Sequence, residues 1–269
     1  MPVDGGAHIE SQYLEETDDF IVDSISRPLQ IVFRDENYVA VFKPAGMVVH
    51  RGKLSPAHEP VLLQTLRDQL DRLVYPVHRL DQPTAGLILF ALNGSAAGRM
   101  VESFTNRSVS KYYQALVRGY APRDGLIDKP LSENSWAKLP GECTDDETAQ
   151  TASTRYSVLA RYQVPWRVSD SEPTRFSLLE VQPLTGRWHQ IRRHLNHIAC
   201  PVIGDHRHGD HGYNQMVFER LGVYRMLLTA MRLDFRHPYT GELQSIVVRR
   251  GTQFDRLMSM LERWRVEEI

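Results

Sequence analysis

Short β-rich apolar runs recur along this chain, and several of the connections between them are too short to hold a helix. Residues 29–33 and 38–42 are separated only by Arg34-Asp35-Glu36-Asn37, a hairpin signal, and Lys43-Pro44-Ala45-Gly46 then turns the chain. Further runs stand at 87–92, 112–117, 154–162, 176–182, 226–235 and 243–248, the last two joined through His237-Pro238-Tyr239-Thr240-Gly241. Parallel neighbours need long crossovers, so short turns predict an α+β fold with a largely antiparallel central sheet flanked by helices. Residues 61–73 place Leu62, Leu66, Leu70 and Leu73 at helical spacing, with Arg67, Asp68, Asp71 and Arg72 between them. Helices are also expected at 95–104, 188–197 and 253–263.

The 269 residues, 42% of them hydrophobic, suffice for a sizeable core. The first 26 residues differ, with seven acidic side chains and no Lys or Arg, and Arg27-Pro28 follows. Residues 1–28 are therefore expected to form an acidic, poorly ordered leader, with one domain over 29–269 and a polar loop insertion at 132–151. The formal net charge of −1 conceals a mildly basic body, because all 32 Lys and Arg lie beyond the acidic segment. That balance suits a nucleic-acid partner if the charge is clustered, and suits an ordinary mixed surface if it is not. The two cysteines, Cys143 and Cys200, stand far apart with no CxxC spacing, which argues against a disulfide framework and fits a reducing, cytoplasmic setting. No apolar stretch approaches bilayer length, so no membrane partner is expected.

Charged residues interrupt an apolar setting at Val77-His78-Arg79-Leu80-Asp81-Gln82-Pro83-Thr84-Ala85-Gly86. In extended chain Arg79 and Asp81 share a face, while Pro83 and Gly86 shape a loop that feeds the next strand. From these residues alone two readings stand: a charged pair closing a turn, or a carboxylate set into a cleft for chemistry. Asp205-His206-Arg207-His208-Gly209-Asp210-His211 is rich in metal-ligand types. His189-Gln190-Ile191-Arg192-Arg193-His194 lacks the glutamate and the spacing of a zinc protease helix.

The stretch His78-Arg79-Leu80-Asp81-x-x-Thr84-x-Gly86 resembles the signature of the RluA-type family of pseudouridine synthases. Collinear blocks agree: Lys43 to Gly46 with Val48-Val49-His50, then Lys111-Tyr112-Tyr113-Gln114-Ala115-Leu116-Val117-x-Gly119, then Leu184-Thr185-Gly186-Arg187-Trp188-His189-Gln190-Ile191-Arg192-Arg193-His194. Pro201-Val202-Ile203-Gly204-Asp205 and His237-Pro238-x-Thr240-Gly241-Glu242 complete the series. The resemblance implies the pseudouridine synthase fold, an RNA substrate and an isomerisation of uridine that uses no cofactor and no metal. It implies Asp81 as the catalytic carboxylate, Arg192 as its partner, Tyr113 as the ring that stacks on the target base and Arg79 as an aid to nucleotide extrusion. It also lowers the weight of the metal reading at 205–211, which falls on the family's Gly-Asp-x-x-Tyr-Gly loop. Three departures stand out: His208 where Tyr is common, Ala85 for Ser, and Thr229 for His.

The implied chemistry suits those residue types. The bond between uracil N1 and ribose C1' breaks, the base turns, and it rejoins through C5. Nothing is oxidised and no group is imported, but an ionised carboxylate must stand beside C1' and C2'. A carboxylate in a dry pocket tends to take up a proton, and an Arg at about 4 Å opposes this by roughly 4 kcal/mol. Were 188–197 helical, Arg192 and Trp188 would share a face and Arg193 would point about a quarter turn away. Stacking on Tyr113 is worth about 1 to 3 kcal/mol, while Tyr112, of opposite strand parity, reads as packing.

The doubled Arg192-Arg193, His208, His50-Arg51 and Gln64-Thr65-x-Arg67-Asp68-Gln69 are similar to the branch of the family that acts on tRNA. That resemblance implies a uridine where the T stem meets the acceptor stem. A paired uridine demands a grip on duplex backbone, for which Arg51, Lys53, Arg187 and Arg193 are the candidates. The shared blocks permit a large-subunit ribosomal RNA substrate as well, and a catalytically silent RNA-binding protein is the different-class alternative. A glycoside hydrolase would need a second facing carboxylate, which these blocks do not supply. No appended basic module is expected before Leu29, and no obligate protein partner is expected.

Overall fold

A computed structural model of the protein describes residues 28–51, 60–132, 149–168 and 173–266. Lys53, Cys143, the acidic segment up to Arg27 and most of the expected polar loop lie outside the described residues. Strands β1 (Ile31–Arg34), β2 (Tyr38–Lys43), β3 (Tyr75–Pro76), β4 (Ala85–Ala91), β5 (Ser110–Arg118) and β6 (Asp124–Asp128) precede β7 (Ser153–Val164), β8 (Thr174–Pro183), β9 (Leu228–Arg236), β10 (Leu243–Val247) and β11 (Arg265–Val266). They form one sheet in the order β1-β2-β4-β9-β5-β8-β7-β11, with β3 on β4, β10 on β9 and β6 on β7. All these pairings are antiparallel except that of β4 with β9, so the sheet is mixed.

The parallel joint explains a glycine of the charged motif. Ala85 pairs with Thr229 and Gly86 with Ala230. Gly86 has φ +109, and a Cβ there would lie 2.2 Å from the Ala230 carbonyl oxygen. Only glycine lets the two backbones approach this closely without strain.

Strands β2 and β4 are buried along their whole length, which is why they read as unbroken apolar runs. Helix α1 (Leu62–Leu70) and α3 (Gln190–His197) cover one face with Leu62, Leu66, Ile191 and Leu195. Helix α2 (Gly94–Thr105) covers the other with Ala96 and Met100, its first turn capped by Asn93, whose side chain accepts from the Ala96 N–H at 2.8 Å. Each fully buried leucine contributes about 2 kcal/mol. Helix α4 (His211–Leu221) and α5 (Thr252–Leu261) close a third cluster around Phe176 and Phe254.

Three helices depart from the sequence reading. Helix α1 stops at Leu70 because Asp71 turns left-handed (φ 49), and Arg67 Nη2 donates to the Val74 carbonyl at 2.9 Å, bending the chain toward β3. Leu73 is consequently not on the apolar stripe but 61% exposed. Helix α3 starts at Gln190 after a left-handed His189 (φ 51), so Trp188 is not on the helix face that carries Arg192. Helix α4 was not expected; Asp210 caps its start by accepting from the Tyr213 N–H at 3.0 Å, and Gly222 ends it. Among the described residues no helix is long and apolar enough to cross a membrane.

Candidate active site

The loop that carries Asp81 is clamped from beneath. Lys43 is fully buried, and its Nζ donates to the carbonyls of Pro44 (2.8 Å), Met47 (2.8 Å) and Gln82 (3.0 Å). Three acceptors match the three N–H donors of an ammonium. Burial, and then the Arg225 charge, pull the Lys43 pKa down to about 7, while Asp81 pulls the other way. The Gly46 N–H also donates to the Gln82 carbonyl, and the Thr84 N–H to that of Asp81. On the far side His78 Nε2 accepts from the Leu89 N–H at 3.0 Å, tying the motif to β4. The Asp81 side chain is thereby presented to a cleft of about 310 Å³, which Arg79, Lys111, Tyr113, Arg187 and Arg192 also line.

Arg192 is shared by two carboxylates. Its Nε and Nη2 hold Asp205 at 2.7 and 2.8 Å, while Nη1 reaches Asp81 Oδ2 at 3.2 Å. The Asp205 side chain has no exposure, and its Oδ1 also accepts from the backbone N–H groups of Arg207 and His208. Burial alone would raise its pKa, but the Arg192 and backbone bonds overcome this and hold Asp205 below the usual carboxylate range. Asp81 goes the other way. Burial raises it above the ordinary value, against the pull of Arg192, Arg79 and Lys43. The expectation that Arg192 suffices to offset desolvation is therefore corrected: most of the guanidinium is committed to Asp205.

The turn before α3 is fixed by Gln190, which is 4% exposed. Its Oε1 accepts from Thr185 Oγ1 (2.7 Å) and the Arg187 N–H (3.0 Å), and its Nε2 donates to the Ser153 carbonyl and Thr154 Oγ1, both at 2.9 Å. Thr154 in turn meets His194 Nδ1 at 2.9 Å, and His194 Nε2 donates to the Lys129 carbonyl. All four hydrogen-bonding positions of the Gln190 amide are used, which makes this turn a rigid frame for Arg192.

Tyr113, on the central strand β5, is 8% exposed and sits between Val181 of β8 and Ala230 of β9. Burial, reinforced by Asp81, pushes its hydroxyl well up, so the phenol stays protonated at neutral pH. Tyr112 turns to the opposite face and carries the Arg232 guanidinium 3.7 Å above its ring, a packing role. Arg79 is exposed at the cleft rim. Arg187 and Arg193 both line the cleft, where Arg187 Nε donates to the Thr151 carbonyl and Arg193 Nη1 to that of Ser132. Arg51 is exposed and is not part of the cleft lining.

Three groups were passed over in the sequence. Lys111 shares the strand face of Tyr113, lines the cleft, and has its pKa lowered by burial; its period-two spacing from Tyr113 was the available signal. Asp205 stands in the family blocks and among the metal-ligand types without a role of its own, and among the described residues no group of acidic, His or Cys side chains is arranged to hold a metal. His189 approaches Asp81 Oδ2 with its Nε2 at 3.8 Å, which nothing local signals.

Residues 37–197 match the model of the family described as RNA pseudouridylate synthase. Proteins named tRNA pseudouridine synthase C are similar to this chain: that of Vibrio cholerae is 42% identical over 83% of this chain and 91% of its own length. The one from Pasteurella multocida is 40% identical over 90% and 99%. Among solved structures, Human RNA Pseudouridylate Synthase Domain Containing 4 matches with a TM-score of 0.66 at 27% identity, covering 87% of this chain and 93% of that one. Human RNA Pseudouridylate Synthase Domain Containing 1 matches with a TM-score of 0.64 at 26% identity, covering 87% and 94%. With the sheet, the Asp81 loop and the match to more than half its length all in agreement, the chain belongs to the RNA pseudouridylate synthase family.

Proposed function

We propose that the protein converts a uridine of tRNA to pseudouridine, at the junction of the T and acceptor stems, with Asp81 as the catalytic carboxylate. The observation that carries this reading is the Asp81 carboxylate facing a cleft, with Arg192 at 3.2 Å and Tyr113 on the same wall. The target nucleotide leaves the stem and enters the cleft, at a cost of a few kcal/mol that stacking and phosphate contacts recover. Asp81 acts at the sugar, by addition to C1' or removal of the C2' proton, and either route needs it ionised. The C1'–N1 bond breaks and Tyr113 holds the freed uracil while it turns; the C1'–C5 bond then forms as Asp81 leaves C1' or returns the C2' proton, and C5 gives up its proton while N1 takes one up from solvent. Activity should therefore be lost as pH falls through the raised pKa of Asp81. Lys111, Arg79, Arg187 and Arg193 supply positive charge toward the backbone of the extruded strand, and Arg51 and Lys53 are further candidates for that grip. A tRNA substrate also puts the protein in the cytoplasm.

Tyr113→Phe keeps the ring and removes a hydroxyl for which the described residues provide no hydrogen bond. Its melting temperature should stay close to wild type, while turnover falls about a hundredfold through loss of a proton-handling group. Wild-type turnover would show that the hydroxyl takes no part.

The substrate is tested with unmodified transcripts carrying tritium at uridine C5. One tritium should be released per tRNA, release should vanish when the T-stem uridine is replaced by cytidine, and protein-free large-subunit RNA should release none. Release from the ribosomal RNA alone would overturn the substrate and leave the chemistry standing.

A further inference from the structure

His189 adopts a left-handed backbone without being glycine, and this turns its ring over the cleft. The ring stacks on Trp188 at 3.7 Å with 17° between the planes. Its Nδ1 lies 2.9 Å from His208 Nε2, and its Nε2 faces Asp81 Oδ2 at 3.8 Å. Six groups surround the pair: Asp81 from the loop before β4, Arg192 and Arg193 from α3, Asp205 and Arg207 from the following loop, and Trp188, over which Arg207 lies at 5.4 Å. Burial, then the Arg192 charge, lowers the His189 pKa to about 3, and burial lowers that of His208 to about 4, so both rings are neutral at neutral pH.

A neutral imidazole has one N–H, so the contact between the rings dictates where both protons sit. If His189 donated through Nδ1, its bare Nε2 lone pair would face the Asp81 carboxylate. If His208 donates through Nε2, His189 carries its proton on Nε2 and aims it at Asp81. The carboxylate favours the second arrangement. At 3.8 Å the last link is open, and a shift of about 1 Å by either side chain brings it to hydrogen-bond distance.

We propose that His189 and His208 are positioning residues for Asp81: His208 donates to His189 Nδ1, fixes the Nε2–H tautomer, and His189 closes onto the carboxylate as a second donor beside Arg192 when the nucleotide is bound. The inference rests on Asp81 being the catalytic carboxylate. It assigns His208 a task defined by its donor and not by its charge. A tyrosine at 208 would offer an O–H in the same direction, which gives the family's commoner residue at this place the same use.

The test compares His208→Phe with His208→Tyr in tritium-release kinetics on the tRNA transcript across pH. His208→Phe should lower kcat about tenfold with KM unchanged, and should move the acid limb to higher pH, because a carboxylate that loses a donor binds its proton more tightly. His208→Tyr should recover most of both effects. The two variants differ by one hydroxyl, so a packing role would affect them alike, and equal kcat and equal acid limbs would overturn the proposal. Should neither variant fold, His189→Gln against His189→Leu carries the same contrast: the amide donor keeps the acid limb in place, the leucine moves it up, and no difference refutes the pair. Retained turnover in Asp81→Asn would instead overturn the underlying reading of Asp81, whatever the histidine variants show.

Discussion

Asp81→Asn is expected to lower turnover by about ten-thousand-fold or more while leaving tRNA affinity within a factor of about two. The amide keeps the shape of the carboxylate, so the cleft still accepts the nucleotide, but it can neither add to C1' nor take a proton from C2'. The same substitution should leave the protein at least as stable at neutral pH. Burial raises the Asp81 pKa in the folded state, so its contribution to stability is fully present below the ordinary carboxylate pKa and is lost as pH rises through the raised value. At neutral pH the wild-type protein carries an imperfectly compensated charge that asparagine removes, a cost in stability kept for function. Single-turnover tritium release, filter binding and thermal melts at several pH values measure all three effects. Substantial turnover by the purified variant would remove Asp81 from the mechanism.

Arg192→Met should fail in two separable ways. Among the described residues it strips the only cation within hydrogen-bond distance of Asp81, so turnover should fall at least about a hundredfold and the acid limb should move further up. It also leaves Asp205 buried without its bidentate partner, which costs about 3 to 5 kcal/mol. The depressed Asp205 pKa gives the wild type a stabilising contribution that is present above the ordinary carboxylate pKa and lost as pH falls through the depressed value. In Arg192→Met that acid-side loss should disappear, since an unpaired buried carboxylate gains from protonation. Adding Asp205→Asn should restore the melting temperature at neutral pH without restoring activity. Recovery of turnover in the double variant would show that Arg192 serves the fold alone.

Much of the architecture was legible because it is written locally. The hairpin of β1 and β2, the buried run of β4 and the stripe of Leu62 and Leu66 each follow from periodicity or turn chemistry within a dozen residues. Helix α1 overshot at Leu73 because apolar spacing cannot register a left-handed residue at Asp71. Helix α4 was passed over because its definition lies in its caps, Asp210 and Gly222, and its own residues show little apolar face. Asp81, Tyr113 and Arg192 could be named from collinear blocks, and they do line one cleft.

The sequence by itself determined most of the longer elements, the motif residues and the family, since each depends on neighbours in the chain. Tertiary structure alone decided the parallel joint of β4 and β9, which pairs Gly86 with Ala230 across a separation no local pattern spans. It likewise decided that Arg192 divides its guanidinium between Asp205 and Asp81, and that His189 turns toward the carboxylate. Ionisation depends on which charges and donors burial brings within a few ångströms of one another, and that is a property of the packed fold and not of the order of residues.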